Sequence, residues 1–424
     1  FQKILLPLFF APFLLFLFFF FFYSSFFFFF CFIFFFIYII LFFYLLKNIL
    51  IMLHLDSGQL TSVAIVGYGL IVQRHAEVIK DIPGIELVAI VEPDATVSLT
   101  SVESFVTIFS DINQMLEQAK PDGVIIASPT KLHASHAGCC VAARVPVLIE
   151  KPISNDLNAA RKLIADANEA NLPLLVGHHR RYNSIIRRAH DLIESGEIGE
   201  VRAINAICWF YKPDHYFDSA PWRQKAGAGP VSVNLIHDVD LMRYLCGEVA
   251  TVQAQFARSR RGFENEDVAS AILEFKNGAI ATLTVSDSIA SPWSWEFSSR
   301  ENPAFPFTGQ STYFIGGSKG SMSLPNLHVW KHEGGCDWWN PMACEEKEAV
   351  HSDPLTNQLV HFRRVILGIE SPLVSGIEGT RSLEVIDAIQ RAAITGELVQ
   401  LDVSQGATLI SSGLQSPEVI VGSQ

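Results

Sequence analysis

The 424-residue chain reads as α/β. An N-terminal Rossmann-type parallel sheet is followed by a C-terminal α+β domain on an open, mostly antiparallel sheet. Three observations predict this. Between about residues 62 and 178, short apolar runs alternate with helical stretches of roughly 10–14 residues, the rhythm of right-handed βαβ units. The runs are apolar throughout, as in strands covered on both faces. Beyond that point the rhythm gives way to successive β-type runs, with Asn277-Gly278, a strong hairpin signal, between two of them.

Residues 1–51 stand apart. They hold 21 of the 33 phenylalanines, and Lys3 and Lys47 are their only charges. Hydropathy alone reads them as one or two membrane spans. The chain begins at Phe1, and this residue set is spelled by thymine-rich codons. The preferred reading is a non-coding tract translated in frame, with Met52 as the start. A membrane anchor is the alternative; a secretory signal fits worst, because the apolar run is too long and lacks a basic n-region. Without an anchor the protein is expected in the cytoplasm. With 31 basic and 43 acidic residues, net −12, no nucleic-acid footprint is visible. Seven cysteines without C-x-x-C spacing argue against a zinc site or disulfide framework. No metal site is expected, and Cys139-Cys140 read as buried thiols.

Ser62–Val66 is the first strand, leading into Gly67-Tyr68-Gly69-Leu70-Ile71-Val72 and a helix to about Lys80. The first glycine permits a tight turn, and the second lets backbone approach a pyrophosphate at the helix N-terminus. Val72 stands where a third glycine would allow close helix–strand packing, so the helix is expected slightly outward. The second strand, Glu86–Val91, ends at Glu92, which is placed for a ribose 2′-hydroxyl. With Asp94 it would repel a 2′-phosphate, which favours NAD over NADP.

Phe105–Ile108 is a short strand, and Asp111 caps a helix over Ile112–Lys120. Asp122–Ala127 is a strand ending in Ser128-Pro129-Thr130, followed by a helix over Leu132–Ala143. Val147–Glu150 is a strand leading into Lys151-Pro152, where proline biases the lysine to an extended backbone. Polar residues at such strand ends face the ligand crevice of open α/β sheets. Ser154 or Asn155 opens the helix Leu157–Glu169, and Leu174–Gly177 is the last strand of this half.

The ordered set Val63–Gly69, Pro121–Thr130 with His133, and Glu150-Lys151-Pro152 resembles the glucose-fructose oxidoreductase / inositol 2-dehydrogenase / rhizopine catabolism family of NAD(P)-dependent oxidoreductases. The resemblance spans about residues 62–402. It implies cofactor contacts from Gly67, Tyr68, Gly69, Leu70, Ile71, Glu92, Ser128, Pro129, Thr130, His133, Glu150 and Lys151. It also implies an NAD(P)-binding domain over 62–178, a substrate and oligomerisation domain over 179–405, and a homo-oligomer through the C-terminal sheet. Residues 406–424 read as a flexible tail.

In the second half, Gly177–Asn183 leads into a helix with Ile185, Ile186, Ala189, Leu192 and Ile193 on one face. Strands are expected over Val201–Trp209, Val249–Ala257, Val268–Phe275, Ala279–Ser286, Thr312–Gly316 and Leu327–Trp330. A closing helix runs over Leu383–Thr395. Gly227–Gly247 contains Asn234, His237 and Asp238 at i, i+3, i+4 on one helical face. The family's active-site helix matches here, which implies that Lys151 and His237 are catalytic. Many relatives carry an aspartate four residues before this histidine; here Val233 stands there, and Asn234 can supply a hydrogen bond instead. Arg181, Tyr182, Trp222, Arg223, Asn234 and Asp238 are candidate substrate contacts. The aromatic and proline-rich stretches Trp209–Asp214, Ser291–Glu296 and Glu301–Pro306 suit a pocket for a ring-shaped polyol. His328, His332, His351 and His361 read as surface histidines.

The expected activity is alcohol–carbonyl interconversion on a sugar, cyclic polyol or related hydroxy acid. His237 is the base and Lys151 binds the same oxygen. The alternatives are a cofactor-binding regulatory protein without turnover, and a dihydrodiol- or biliverdin-type reductase.

Overall fold

The computed structural model describes residues 59–94 and 105–401, together with Phe35, Tyr38 and Ile39. The expectations for the Phe-rich segment as a whole and for the tail 406–424 therefore lie outside the described residues. Leu60–Gln424 is a unit separate from Phe1–Gln59. Among the described residues no helix is long and apolar enough to cross a membrane.

The first sheet has six strands, β1 (Thr61–Val66), β2 (Ile85–Val91), β3 (Thr107–Phe109), β4 (Gly123–Ile126), β5 (Val147–Ile149) and β6 (Leu174–Val176). Their order is β3-β2-β1-β4-β5-β6, and every pair is parallel. The uniform apolar runs explain this: β4 and β5 are buried along their whole length, so both faces must be covered. Helices Leu70–Lys80, Ile112–Gln118, His133–Ala142 and Leu157–Glu169 supply the cover. The strand order reverses between β1 and β4, which opens a crevice at their carboxyl ends. Val72 is fully buried in the core with Val63 and Ile65. Asp111 caps its helix by accepting from the Asn113 and Gln114 amides. The cap before Leu157 is Asp156, not Ser154 or Asn155; its carboxylate accepts from the Ala159 amide. The Ser154 hydroxyl serves the preceding turn instead, accepting from the Asp156 amide.

The second sheet has nine strands: β7 (Val201–Trp209), β8 (Val249–Arg258), β9 (Glu266–Phe275), β10 (Ile280–Ser286), β11 (Tyr313–Gly317), β12 (Ser321–Leu324), β13 (His328–His332), β14 (Met342–Glu346) and β15 (Val399–Gln400). They lie in the order β14-β13-β12-β11-β7-β10-β9-β8-β15. Only β7 and β10 pair in parallel. The Asn277-Gly278 turn joins β9 to β10, with Gly278 at φ 84°. Alternate residues Ala271, Leu273 and Phe275 face a core shared with Leu241, Leu245, Val385 and Ile389. The opposite face leaves Ile272, Ile280, Phe314 and Trp330 exposed.

Three strands, β12, β14 and β15, and the helix Pro354–Ile366 have no counterpart in the sequence reading. That helix carries its own signals, an Asp353 cap and a proline in its first turn. It buries Leu355, Leu359 and Phe362 in the core of the first sheet. The closing helix is longer than expected, Gly376–Thr395, with Ser375 as cap.

Candidate active site

At the carboxyl end of β1 the chain turns at Gly67, φ 97°, where a Cβ would lie 2.8 Å from the Ala127 carbonyl oxygen. Only glycine fits. Gly69 then precedes the helix Leu70–Lys80 without a side-chain cap, and nothing stands within 4 Å of where its Cβ would be. This bare helix N-terminus fits a pyrophosphate: the amides are unblocked and the dipole favours an anion. Tyr68 is buried in the core, while Ile71 is partly exposed beside the loop. Leu70 contributes the first helical backbone unit. Glu92 closes β2, and its Oε1 accepts from the Asp94 amide at 3.0 Å. After β4, Pro129 is exposed and Thr130 half-buried. His133 is buried and contacts two carbonyl oxygens, Ser128 at 2.7 Å and Pro152 at 2.8 Å. It ties the loop after β4 to the loop after β5.

Glu150 follows β5 and is buried. Its Oε1 meets His75 Nε2 at 2.8 Å, and its Oε2 accepts from the Lys151 amide at 3.2 Å. Gly177 makes room for this carboxylate, because a Cβ there would stand 3.0 Å from Oε2. Burial pushes the Glu150 carboxyl up, but His75, His179 and Lys151 outweigh it and hold it at about 2. The Lys151–Pro152 bond is cis. Lys151 Nζ donates to the Val233 carbonyl at 3.2 Å. Burial and the nearby cations Arg180 and Lys212 pull the ammonium down to about 8, against Glu150 and Glu296.

Val233 lies in a π-helical turn, Val231–Leu235, that runs into the helix Ile236–Cys246. Such turns recur at functional sites. This one brings Asn234 and His237 to the same place as Lys151. His237 is buried, with its ring 5.4 Å from His179. Its Nδ1 is buried without a partner, which leaves Nε2 as the nitrogen with accessible surface. Burial, then the charge of Lys151 and Arg180, pulls His237 well below 6.5, so the ring is neutral at pH 7. Asn234 Oδ1 accepts from Lys212 Nζ at 2.6 Å.

Several expected contacts take other positions. Asp238 is buried against the Tyr313 hydroxyl and Arg180. Burial raises its carboxyl to about 6, although Arg180 and Tyr313 resist. All three Arg181 side-chain nitrogens bind Asp240 or Glu378, so its guanidinium has no donor group without a partner. Tyr182 is buried against His361, with its hydroxyl unpartnered. Trp222 is 58% exposed on the turn Pro221–Gln224. Arg223 stacks 4.0 Å over the Tyr216 ring. Trp295, read as a loop aromatic, is a core residue at 1% exposure because its ring packs on Tyr313. His361, read as a surface histidine, is half-buried between Glu370 and the Leu373 amide.

Sequence reasoning assigned no role to His75, His179, Arg180 or Lys212. His75 shares a helix face with Val72 and Ile79, both buried; a polar residue on such a face was the available signal. Lys212 lies in an irregular loop and carries no such signal. Among the described residues no group of three His, Cys, Asp or Glu is arranged to hold a metal.

Residues 61–178 match the model of an oxidoreductase family with an NAD-binding Rossmann fold, and residues 186–323 match the GFO/IDH/MocA C-terminal domain. The chain is similar to 1,5-anhydro-D-fructose reductase of Ensifer adhaerens, 25% identical over 299 residues, covering 69% of this chain and 84% of that protein. It is also similar to myo-inositol 2-dehydrogenase of Thermotoga maritima, 26% identical over 231 residues, 52% of this chain and 67% of that protein. The solved structure of an oxidoreductase from Agrobacterium radiobacter, in complex with NAD+, L-tartaric acid and magnesium, shares the fold. Its TM-score is 0.69 at 21% identity, covering 82% of this chain and 99% of that one.

Proposed function

The chain belongs to the GFO/IDH/MocA family of NAD-binding oxidoreductases, and on that premise we propose that Lys151 and His237 interconvert a secondary alcohol and a carbonyl on a sugar-like substrate. The chemistry that NAD would supply when bound is that of a hydride acceptor for the hydroxyl-bearing carbon, or a hydride donor in reverse. His237, neutral at pH 7, accepts the hydroxyl proton at Nε2. Lys151 Nζ has donors left beyond its bond to Val233, and it holds the same oxygen as negative charge develops. Glu150, locked by His75, fixes the Lys151 backbone. Gly67, Gly69 and the amides of Leu70 and Ile71 would hold the pyrophosphate, and Glu92 the ribose.

The observation that carries this reading is the Lys151 Nζ bond to Val233, one turn before an uncharged His237. Lys151→Met and His237→Ala should each lower kcat by about 10²–10⁴-fold while NAD affinity stays within a few-fold. Stopped-flow NADH formation and NAD titration measure both, and wild-type turnover in either variant removes its assignment.

The exposed apolar residues Ile272, Ile280, Phe314 and Trp330 suit burial against a second copy of the chain, so the proposed enzyme is a homo-oligomer. The six cysteines of the described residues are free thiols, which suits a reducing cytoplasm.

A further inference from the structure

Lys212 follows β7 in a loop, yet its side chain is only 5% exposed. Its backbone is fixed at both ends, the amide donating to the Asp287 carbonyl and its own carbonyl accepting from Arg261. Lys212 is anchored on Asn234 and Lys151 on Val233, so consecutive residues of one π-helical turn hold two ammonium groups. The groups are close enough to repel each other. Arg223 adds a third cation: Lys212 Nζ and the Arg223 guanidinium both lie over the Tyr216 ring, at 5.0 and 4.0 Å from its centroid. Among the described residues the Arg223 guanidinium donates to the Tyr216 carbonyl and the Ser219 hydroxyl.

A buried cation is costly unless an anion faces it, and of the three Lys212 is buried while Lys151 and Arg223 are half-buried. Among the described residues no carboxylate lies within 4.0 Å of the Lys151, Lys212 or Arg223 charge. The carboxylates nearby have other contacts: Glu150 meets His75, Glu296 Arg180, Asp287 Arg261 and Glu301 His179, while Glu266 accepts from the Val231 amide. A lysine ammonium has three donors, and Asn234 and Val233 each take one. The crevice therefore presents ammonium groups with unfilled donors and, among the described residues, no carboxylate in contact with them. A neutral polyol would fill the donors without balancing the charge; a carboxylate would do both.

We propose that Lys212 binds a carboxylate on the substrate, so that the enzyme acts on a sugar acid or related polyhydroxy acid and discriminates against the neutral sugar of the same shape. Asn234, its Oδ1 held by Lys212, turns its amide NH₂ toward the same ligand as a further donor. The proposal rests on Lys151 and His237 marking the reacting end of the crevice.

The test is calorimetric titration of the full chain, loaded with NAD, with two matched pairs: galacturonate against galactose, and gluconate against sorbitol. NADH formation is followed in parallel. A charge-assisted hydrogen bond in a buried site corresponds to about tenfold to a hundredfold in affinity. At least one acid should bind tighter than its neutral partner by that margin. Lys212→Met should erase the difference and Lys212→Arg should retain part of it. Equal affinities within both pairs, a preference unchanged in Lys212→Met, or no binding of either acid overturns the proposal. Acid preference without NADH from any of the four would uphold the carboxylate site and count against hydride transfer. NADH from the neutral partners with no acid preference would do the reverse.

Discussion

Arg180 and Arg181 are adjacent and equally buried, but they border two different charge regions. On the Arg181 side, three arginines meet three carboxylates. Arg181 binds Asp240 and Glu378, Arg243 binds Glu248 and Glu378, and Arg381 reaches Glu248 and Glu378. Ser382 and the Glu378 carbonyl fill remaining donors of Arg243. On the other side lie Lys151, Lys212 and Arg223, without a carboxylate partner among the described residues. The balanced region joins the helices Ile236–Cys246 and Gly376–Thr395 to the loop after β6; it is architecture. The other includes Lys151 at a strand end of the first sheet, where open α/β sheets bind ligands, and it is where the proposed chemistry lies.

The largest expected effect that sharpens this contrast is on stability. Arg181→Met leaves Asp240 buried and under-compensated, which should cost about 3–5 kcal/mol in urea unfolding. Lys151→Met removes an ammonium whose burial outweighs the pull of Glu150 and Glu296, and it should leave the unfolding midpoint unchanged or higher. Loss of stability in Lys151→Met, with none in Arg181→Met, would invert the assignment.

The pH dependence should separate the same regions in opposite directions. Burial pushes Asp240 up, but Arg181 and His178 outweigh it and hold the carboxyl at about 2, below its usual value. Its contribution is therefore fully present above about pH 4 and is lost as pH falls toward 2, worth about 2 kcal/mol. Lys151 is held at about 8, below its unfolded value. The unfolded chain binds more protons above that point, so stability rises with pH between about 8 and 10.5. Asp240→Asn should flatten the acid limb of a stability–pH curve, and Lys151→Met the alkaline limb. The smallest effect is local: Asp156→Ala should cost about 1 kcal/mol and Ser154→Ala less, measured by thermal unfolding.

Most of the first sheet was legible because its strands are uniformly apolar and its turns carry glycine, proline and caps. β12 and β14 were not. The former alternates, Ser321-Met322-Ser323-Leu324, but over only four residues, and every residue of the latter is exposed, so it shows no buried face. The helix Pro354–Ile366 did carry its cap and proline signals, and they went unread. In the site, Glu150-Lys151-Pro152 and the His237 helix stand on local patterns. Lys212 could not be found that way, because it is buried through tertiary contacts, among them its bond to Asn234, and not through a local pattern. Arg181 was misplaced for the converse reason: its partners Asp240 and Glu378 lie 59 and 197 residues away.

The most direct measurement is turnover per folded molecule in Arg181→Met and Lys151→Met, side by side. NADH formation is followed at a temperature where both variants are folded, with the folded fraction fixed by circular dichroism. Arg181→Met should keep turnover within a few-fold of wild type while unfolding more readily, and Lys151→Met should lose about 10³-fold while folding normally. Wild-type turnover in Lys151→Met, with turnover abolished in folded Arg181→Met, would place the chemistry in the balanced region and contradict the account.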